Sequence, residues 1–223
     1  MEINRYIDHT LLKRDAITKE VDNLIDEALK YNFRTVCIHP IWIKHAKSRL
    51  KGTDTNITAV IGFPYGTQTT ESKIFEAKDA IKKGADELDF VSCVSRVHER
   101  KTSYLKKELK KIRKATKSKT IKLILETGLL TKEEIEYISK LAISAKWDFI
   151  KTSTGIETTG ATLPNVKLMV ELAGNKIKVK AAGGVKTLKD AQSYIDAGVK
   201  RIGTSNGVAI MEGKPASAAK SDY

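Results

Sequence analysis

The chain has 223 residues and a formal net charge of +13, and its length fits one domain of about 200–250 residues. Hydrophobic residues make up 41% of it and charged residues 30%, which excludes wholesale disorder. No run of about 18 apolar residues is present to span a membrane, and Met1–Arg5 lacks the apolar stretch of a signal peptide. Cys37 and Cys93 are too few for a disulfide framework and lack zinc-ligand spacing. A cytoplasmic protein with no membrane partner and no metal is therefore expected.

The positive charge invites a nucleic-acid interpretation. Of the 40 basic residues, however, 32 are lysine and 8 are arginine, and arginine is the residue that makes bidentate phosphate and guanine contacts. The densest basic stretch, Lys101–Lys119, carries Leu105, Leu109 and Ile112 at helical spacing. This pattern favours the solvated face of an amphipathic helix. No nucleic-acid partner is expected, and a basic nucleic-acid-binding protein is the alternative from a different functional class.

Short apolar runs of strand type recur along the chain, and a segment with helical periodicity follows each one. In chain order the runs are Tyr6–Thr10, Arg34–Pro40, Asn56–Pro64, Glu87–Cys93, Ile121–Thr127, Phe149–Thr154, Lys178–Gly184 and Arg201–Asn206. Because strict alternation indicates a parallel sheet, eight units of about 28 residues predict a single-domain (β/α)8 TIM barrel over residues 1–212. Residues 213–223 are predicted to form a flexible tail. A doubly wound open sheet is the alternative, although the dinucleotide-binding glycine motif is absent.

The helix boundaries carry their own signals. Thr131 precedes Lys-Glu-Glu, which predicts a capping box that closes on Glu134. Gly84, Gly174 and Gly198 stand where three of the helices should end. These signals agree with the alternation of strands and helices.

Alternation within each strand separates residues that face the helices from residues that face the barrel interior. Leu88 and Phe90 point toward the helices, so Asp89 between them points inward. The same pattern turns three further charged residues inward on strands 5 to 7: Glu126, Lys151 and Lys180. Barrel enzymes keep their chemistry at the carboxyl ends of the strands, and an interior charge is costly unless it is paired or functional. We therefore expect an active site here, with a structural ion pair as the alternative for any single residue.

Lys151 and Lys180 lie on consecutive predicted strands, which run about 4.7–4.9 Å apart. Two ammonium groups about 5 Å apart repel by roughly 3.3 kcal/mol at an effective dielectric near 20, which lowers the pKa of one of them from about 10.4 to about 8. A neutral amine attacks an aldehyde or ketone and forms a Schiff base. With Asp89 to carry protons, the three residues predict carbonyl chemistry through an imine, with no metal and no organic cofactor.

Two glycine-rich segments follow the last two predicted strands. Gly183 and Gly184 come after strand 7, and the segment Gly203–Gly207 comes after strand 8. The loops after strands 7 and 8 are the usual phosphate-binding site of this barrel, with backbone N–H groups directed at the anion. The two segments together predict a small phosphorylated substrate.

The chain resembles the deoxyribose-phosphate aldolase family over nearly its whole length. The segments that carry the resemblance are IDHTLLK (7–13), VCIHP (36–40), VIGFP (60–64), TESKIFEAK (70–78), GADELD (84–89), ILETGLL (124–130), IKTSTG (150–155), VKAAGG (179–184) and RIGTS (201–205). The resemblance implies a class I aldolase that reversibly cleaves 2-deoxy-D-ribose 5-phosphate to D-glyceraldehyde 3-phosphate and acetaldehyde, in deoxyribonucleotide catabolism. Another imine-forming aldolase, such as a transaldolase-like barrel, is the alternative among enzymes.

The resemblance also implies roles for individual residues. Lys151 forms the imine, Lys180 tunes it, and Asp89 donates and accepts protons. Substrate binding is predicted for Asp8, Thr10, Glu126, Thr154, Gly183, Gly184, Gly203, Ser205 and Asn206. The glycines and Ser205 match phosphate-binding positions, and Asn206 stands where a second serine is common.

Three expectations concern the rest of the molecule. Tyr223 at the end of the tail is predicted to fold back as a proton relay, with a disordered end as the alternative. A homodimer is expected. Cys93 stands where the family usually has asparagine, so a hydrogen bond made by that asparagine is not expected in this chain.

Overall fold

The structure is a computed structural model that describes residues 2–117, 119–156 and 158–214. Parallel strands close into a barrel in chain order: β1 (Ile7–Leu11), β2 (Thr35–Ile38), β3 (Asn56–Ile61), β4 (Glu87–Val91), β5 (Thr120–Ile124), β6 (Phe149–Lys151), β7 (Lys178–Ala182) and β8 (Arg201–Thr204). The predicted (β/α)8 barrel is confirmed. The open doubly wound sheet is wrong, because β1 pairs with β8 as well as with β2.

Each predicted run overlaps one strand, but most runs extend too far at the carboxyl end. The run that was expected to reach Thr154, for example, forms β6 only as far as Lys151. The run expected to reach Gly184 forms β7 as far as Ala182. Beyond these points the chain turns into loops at the barrel mouth. Several of the loop residues, among them Thr152, Ser153 and Thr154, stay buried there, so their composition resembles that of a strand although regular pairing has ended.

The helices surround the barrel: α1 (Thr18–Lys30), α2 (Ile43–Arg49), α3 (Thr70–Lys83), α4 (Val94–His98), α5 (Thr102–Ala115), α6 (Lys132–Ser144), α7 (Leu163–Ala173), α8 (Leu188–Asp196) and α9 (Gly207–Glu212), with 3-10 turns at Ile3–Tyr6, Pro40–Trp42 and Thr127–Leu129. The predicted capping box before α6 is confirmed, since Thr131 and Glu134 each accept the backbone N–H of the other. Gly84 ends α3 with a φ of +118°, a left-handed conformation that favours glycine. Gly174 ends α7, and Gly198 lies two residues beyond α8. No helix within the described ranges is long and apolar enough to cross a membrane.

The hydrophobic core lies between the barrel and the helices. Outward strand residues such as Val36 and Leu88 are buried there against the apolar helix faces. Helix α5 buries Leu105, Leu109 and Ile112 in this core, while its lysines face solvent. The densest basic stretch of the chain is therefore the solvated face of one amphipathic helix.

Candidate active site

The structure brings the three predicted catalytic residues together inside the barrel. Lys151 on β6 pairs in register with Lys180 on β7. Both Nζ atoms contact the same carboxylate oxygen of Asp89 on β4, at 3.1 and 2.9 Å. All three side chains are buried. Strand alternation and barrel closure thus place two amines and one carboxylate within hydrogen-bonding distance.

Burial lowers the pKa of Lys151 below its ordinary value, because a desolvated ammonium group loses its hydration. The carboxylate of Asp89 opposes this effect, and the positive charge of Lys180 adds to it. A lowered pKa is what the sequence predicts for one lysine of the pair, but the main cause of the shift is different. Burial contributes more than the neighbouring lysine, since carboxylates beside Lys180 compensate its charge.

Lys180 is held as a cation by two carboxylates. Its Nζ donates to Asp8 at 2.5 Å and to Asp89 at 2.9 Å. Burial would lower the pKa of Lys180, but these carboxylates outweigh burial and raise the pKa. Asp8, predicted to bind substrate, also accepts hydrogen bonds from Arg201 at 2.6 Å and from Thr35 at 2.8 Å. Its oxygens are thus engaged within the protein, where Asp8 serves as a counter-ion for Lys180; its role as a substrate ligand stays a prediction.

Asp89 is held as a carboxylate. Burial by itself would raise the pKa of Asp89, but the cations of Lys122, Lys180 and Lys151 together keep it well below its usual range. A carboxylate in this state accepts a proton before it can donate one. The role of Asp89 in proton transfer stays a prediction.

Three charged residues of the same interior were missed by the sequence analysis: Glu87, Lys122 and Arg201. The Nζ of Lys122 lies 2.8 Å from Asp89 and 2.6 Å from Glu87. The guanidinium group of Arg201 makes two contacts of 3.0 Å with the Glu87 carboxylate. Strand alternation could have placed Glu87 and Lys122 in the interior, because Glu87 lies two residues before Asp89 on β4 and Lys122 lies between two apolar residues of β5.

Three of the predicted substrate-binding residues make hydrogen bonds within the protein. Glu126, with a φ of +60°, accepts hydrogen bonds from the Thr154 backbone N–H at 3.0 Å and the Thr158 hydroxyl at 2.8 Å. These bonds join the loops that follow β5 and β6. The Thr10 hydroxyl donates to the backbone oxygen of Asp8 at 2.9 Å. These residues shape the walls of the barrel mouth, and their role as substrate ligands stays a prediction.

The two predicted phosphate-binding loops lie side by side. Gly183 and Gly184 have φ values of +87° and +73°, a region that residues with a Cβ rarely adopt. The Thr204 hydroxyl donates to the backbone oxygen of Val185 at 2.6 Å. This bond connects the end of β8 to the loop after β7, so both loops face the same end of the barrel.

Gly203 differs from the other predicted phosphate ligands because it lies within β8. A Cβ at this position would stand 3.0 Å from Cε of Lys180 and 2.9 Å from Cβ of Ala182. The missing side chain therefore makes room for Lys180. Ser205 and Asn206 follow the strand, and the Asn206 amide donates to the Ser205 hydroxyl at 3.2 Å. Phosphate binding by these residues stays a prediction.

Tyr223 and most of the predicted tail lie outside the described residues. Within residues 2–117, 119–156 and 158–214, no cluster of three histidine, cysteine, aspartate or glutamate side chains has the geometry to hold a metal ion.

Comparisons with known proteins agree with this geometry. Residues 3–213 match the model of the DeoC/LacD family aldolase. The deoxyribose-phosphate aldolase of Streptococcus pneumoniae (strain Hungary19A-6) is 45% identical over 214 residues, which cover 96% of this chain and 97% of that protein. The enzyme of the same name from Streptococcus equi subsp. zooepidemicus is 46% identical over 216 residues, covering 97% and 98% of the two chains.

A solved structure described as the unique tetrameric structure of deoxyribose phosphate aldolase from Aeropyrum pernix superposes with a TM-score of 0.87. It is 32% identical in sequence, and the superposition covers 94% of this chain and 89% of that one. A structure named QR15, an aldolase, superposes with a TM-score of 0.90 at 40% identity and covers 94% of each chain. The chain therefore belongs to the DeoC/LacD family of aldolases and is a lyase.

Proposed function

We propose that this aldolase reversibly cleaves 2-deoxy-D-ribose 5-phosphate to D-glyceraldehyde 3-phosphate and acetaldehyde through a Schiff base on Lys151. The observation that carries the proposal is a buried lysine with a lowered pKa beside the cation of Lys180 and the carboxylate of Asp89. The names of the streptococcal relatives support the choice of substrate. A nucleic-acid-binding protein is not favoured, because the basic helix faces solvent and the chain belongs to an enzyme family.

The first step is imine formation. The neutral Nζ of Lys151 attacks the aldehyde carbon of the open-chain sugar, and a C–N bond forms as the carbonyl π bond breaks. One amine proton passes by way of the Asp89 carboxylate, which is an acceptor in the resting enzyme, to the carbonyl oxygen, which becomes a hydroxyl group. A second proton from solvent lets this hydroxyl group leave as water, so the nitrogen becomes an iminium cation and Asp89 is again a carboxylate. Lys180 stays charged and stabilises the hydroxyl group that is formed.

The second step is carbon–carbon cleavage. Asp89, through a water molecule, removes the proton of the C3 hydroxyl, and the C2–C3 bond breaks as the new carbonyl forms. The electron pair of that bond moves into the iminium, which leaves an enamine of acetaldehyde on Lys151. The proton returns to the enamine carbon, and water hydrolyses the imine to release acetaldehyde.

The phosphate group of the substrate occupies the loops after β7 and β8. The backbone N–H groups of Gly183 and Gly184, together with Ser205 and Asn206, are the donors that we assign to it. Both glycines lie in a turn with positive φ values, and successive backbone N–H groups of turns form concavities that bind anions. Because β7 carries Lys180 and adjoins β6, an anion bound there would hold the sugar across the mouth beside Lys151.

We place the enzyme in the cytoplasm, in the catabolism of deoxyribonucleotides, with the sugar phosphate as its partner and without a metal, an organic cofactor, a nucleic acid or a membrane. A homodimer is our expectation for its assembly. Tyr223 is proposed as a proton relay at the end of the tail. Deleting Tyr223 should lower turnover or proton exchange into acetaldehyde, and unchanged rates would refute the relay.

Trapping of the imine tests the assignment of Lys151. The enzyme is incubated with acetaldehyde, reduced with borohydride and digested, and the modified peptide is mapped by mass spectrometry. We expect an ethyl group on Lys151 and none on this peptide in a Lys151→Met control. A missing adduct, or an adduct confined to Lys180, would contradict the mechanism.

A donor assay separates the proposed substrate from that of a transaldolase-like enzyme. With D-glyceraldehyde 3-phosphate as acceptor, acetaldehyde should serve as donor and yield 2-deoxy-D-ribose 5-phosphate. Activity only with a ketose phosphate donor would favour the transaldolase-like alternative. Salt-dependent DNA binding in the absence of aldolase activity would favour the nucleic-acid-binding alternative.

A further inference from the structure

The ionised groups of the barrel interior form a closed ring in which positive and negative charges alternate. Five strands contribute its members, which in order are Arg201, Asp8, Lys180, Asp89, Lys122 and Glu87, the last of which contacts Arg201 again. The six successive N···O distances are 2.6, 2.5, 2.9, 2.8, 2.6 and 3.0 Å. All six groups are buried, so they compensate one another in place of water.

Lys151 stands outside this ring. Its Nζ lies 3.1 Å from Asp89, and among the residues that the structure describes it contacts no other carboxylate. Asp89 is already shared by Lys122 and Lys180. The three cations of the ring match its three carboxylates. A proton on Lys151 therefore adds an uncompensated charge to a buried interior.

We propose that Glu87, Lys122 and Arg201 are positioning residues that act through this ring: Lys122 and Arg201 compensate Asp89 and Asp8, Glu87 compensates these two cations, and Lys151 is thereby left as the lysine of the described barrel interior that becomes a neutral nucleophile. The inference deepens the proposed function and rests on it. Neither Lys122 nor Glu87 needs to touch the substrate for this role. Each acts by fixing the charge that surrounds Lys151.

The pKa directions agree with this role. Burial lowers the pKa of Lys151, and Asp89 alone does not reverse the effect. Burial acts on Lys122 in the same direction, but Asp89 and Glu87 together outweigh it and raise its pKa. The two lysines differ in the number of carboxylates that each one contacts. Contact with a second carboxylate therefore distinguishes Lys122, which is a cation of the ring, from Lys151, the proposed nucleophile.

Other titratable groups near Lys151 do not alter the balance. Cys37 on β2 is buried, and burial raises the pKa of its thiol, which stays uncharged. Strand β3 contributes no titratable side chain. Glu126 lies beyond the end of β5 and is hydrogen-bonded to the loop that follows β6. Its charge is the same in every variant compared below, so it does not affect the direction of a shift.

The ring predicts opposite shifts for two substitutions. Lys122→Met removes a cation, so the pKa of Lys151 should rise. Glu87→Gln removes an anion, so the pKa of Lys151 should fall. Two charges about 6 Å apart at an effective dielectric near 20 shift each other's titration by on the order of 1–2 pH units. The shift for Glu87→Gln should be the smaller one, because Glu87 is one ring position further from Lys151 than Lys122 is.

The double variant Lys122→Met/Glu87→Gln removes one charge of each sign and should bring the pKa of Lys151 back toward the wild-type value. Lys73→Met is a matched control, because Lys73 is also a buried lysine. It pairs with Glu108 at 3.2 Å between α3 and α5, outside the barrel. We expect it to reduce thermal stability and to leave the titration of Lys151 unchanged.

Competitive labelling measures the titration directly. Full-length protein is treated with a trace of acetic anhydride over a pH series, and acetylation of the Lys151 peptide is quantified by mass spectrometry. The midpoint of the labelling curve reports the pKa of Lys151 without requiring aldolase activity. Borohydride trapping with acetaldehyde is carried out on the same samples as a separate test of the proposed function.

The expected result is a higher midpoint for Lys122→Met, a lower midpoint for Glu87→Gln, a midpoint between these two for the double variant, and a wild-type midpoint for Lys73→Met. Single variants that shift in the same direction, or folded variants that do not shift, would overturn the role of the ring. If circular dichroism shows that Lys122→Met is unfolded, the labelling midpoint of the double variant is compared with that of Glu87→Gln. Removal of Lys122 should raise the midpoint in this pair as well. Failure to trap Lys151 in the wild-type enzyme would instead refute the proposed function, whatever the midpoints are.

Discussion

Lys151 and Lys180 share one oxygen of Asp89, yet their pKa values move in opposite directions. Their Nζ atoms lie 3.1 and 2.9 Å from that oxygen. Burial lowers the pKa of Lys151, whereas at Lys180 burial is outweighed and the pKa rises. The difference comes from Asp8, which lies 2.5 Å from Lys180 and gives it a second carboxylate. Two lysines at neighbouring register positions thereby have pKa values shifted in opposite directions.

Replacing Lys180 should nearly abolish activity while the fold persists. In Lys180→Leu, Asp8 and Asp89 lose a counter-ion, so the pKa of Lys151 rises and less neutral amine is present. We expect kcat at neutral pH to fall by at least about 100-fold, the lower end of what a positioned proton-transfer group contributes. Part of the loss should be recovered at alkaline pH. The measurement is a pH–rate profile, and wild-type turnover at neutral pH would show that Lys180 does not tune Lys151.

Asp89→Asn should separate imine formation from turnover. The substitution removes a carboxylate that favours the protonated form of Lys151, so the pKa of Lys151 falls further and borohydride trapping persists. Proton transfer from the C3 hydroxyl loses its base, and turnover should fall by about 10²–10⁴-fold. Single-turnover cleavage and trapping are measured on the same preparation. Equal losses of single-turnover cleavage and of borohydride trapping would contradict a role of Asp89 in proton transfer after imine formation.

Gly203→Ala should reduce kcat more than it raises KM. The new Cβ would stand 3.0 Å from Cε of Lys180, and the lysine must shift away from its carboxylates. Gly184→Ala is the comparison, because no atom lies within 4 Å of a Cβ there, while its φ of +73° strains the loop assigned to phosphate. We expect that variant to raise KM for the phosphorylated sugar. Steady-state kinetics distinguish the two roles, and an effect of Gly203→Ala on KM alone would favour Gly203 as a phosphate ligand.

Removing the proposed nucleophile should stabilise the fold. The folded-state pKa of Lys151 lies below its unfolded value, so the protonated form destabilises the folded protein at pH values below the folded pKa. This cost disappears as the pH rises from the folded pKa toward about 10.4, the ordinary lysine value. Lys151→Met should therefore raise Tm at neutral pH, by on the order of 2–4 °C for each kcal/mol that is relieved.

The gain in Tm should shrink at alkaline pH, where the wild-type lysine also becomes neutral. Lys122→Met provides the contrast: its folded-state pKa is raised, so this lysine stabilises the fold at neutral pH and its loss should lower Tm. Thermal unfolding at neutral and at alkaline pH checks the direction of the Tm change for each of the two variants. A lower Tm for Lys151→Met at neutral pH would show that its charged form is well accommodated in the barrel.

Local patterns in the sequence were sufficient for the barrel and for the three proposed catalytic residues. The capping box from Thr131 to Glu134 and the inward direction of Asp89, Lys151 and Lys180 depend on contacts and periodicities that span only a few residues. The ends of the strands were predicted less accurately, because residues beyond the last paired position resemble those of a strand. The structure adds that Glu126 lies in loop hydrogen bonds and that Gly203 lies against Lys180, contacts that no local pattern indicates.

Which of the two lysines has the lowered pKa depends on the tertiary structure. The repulsion between Lys151 and Lys180 could be inferred from the register of two strands, but it does not say which of them keeps its proton. That choice depends on carboxylates from strands far apart in the chain: Asp8 precedes Lys180 by 172 residues and Glu87 precedes Arg201 by 114. Charge compensation acts through space over a few ångströms, so it is set only when the closed barrel brings these groups together.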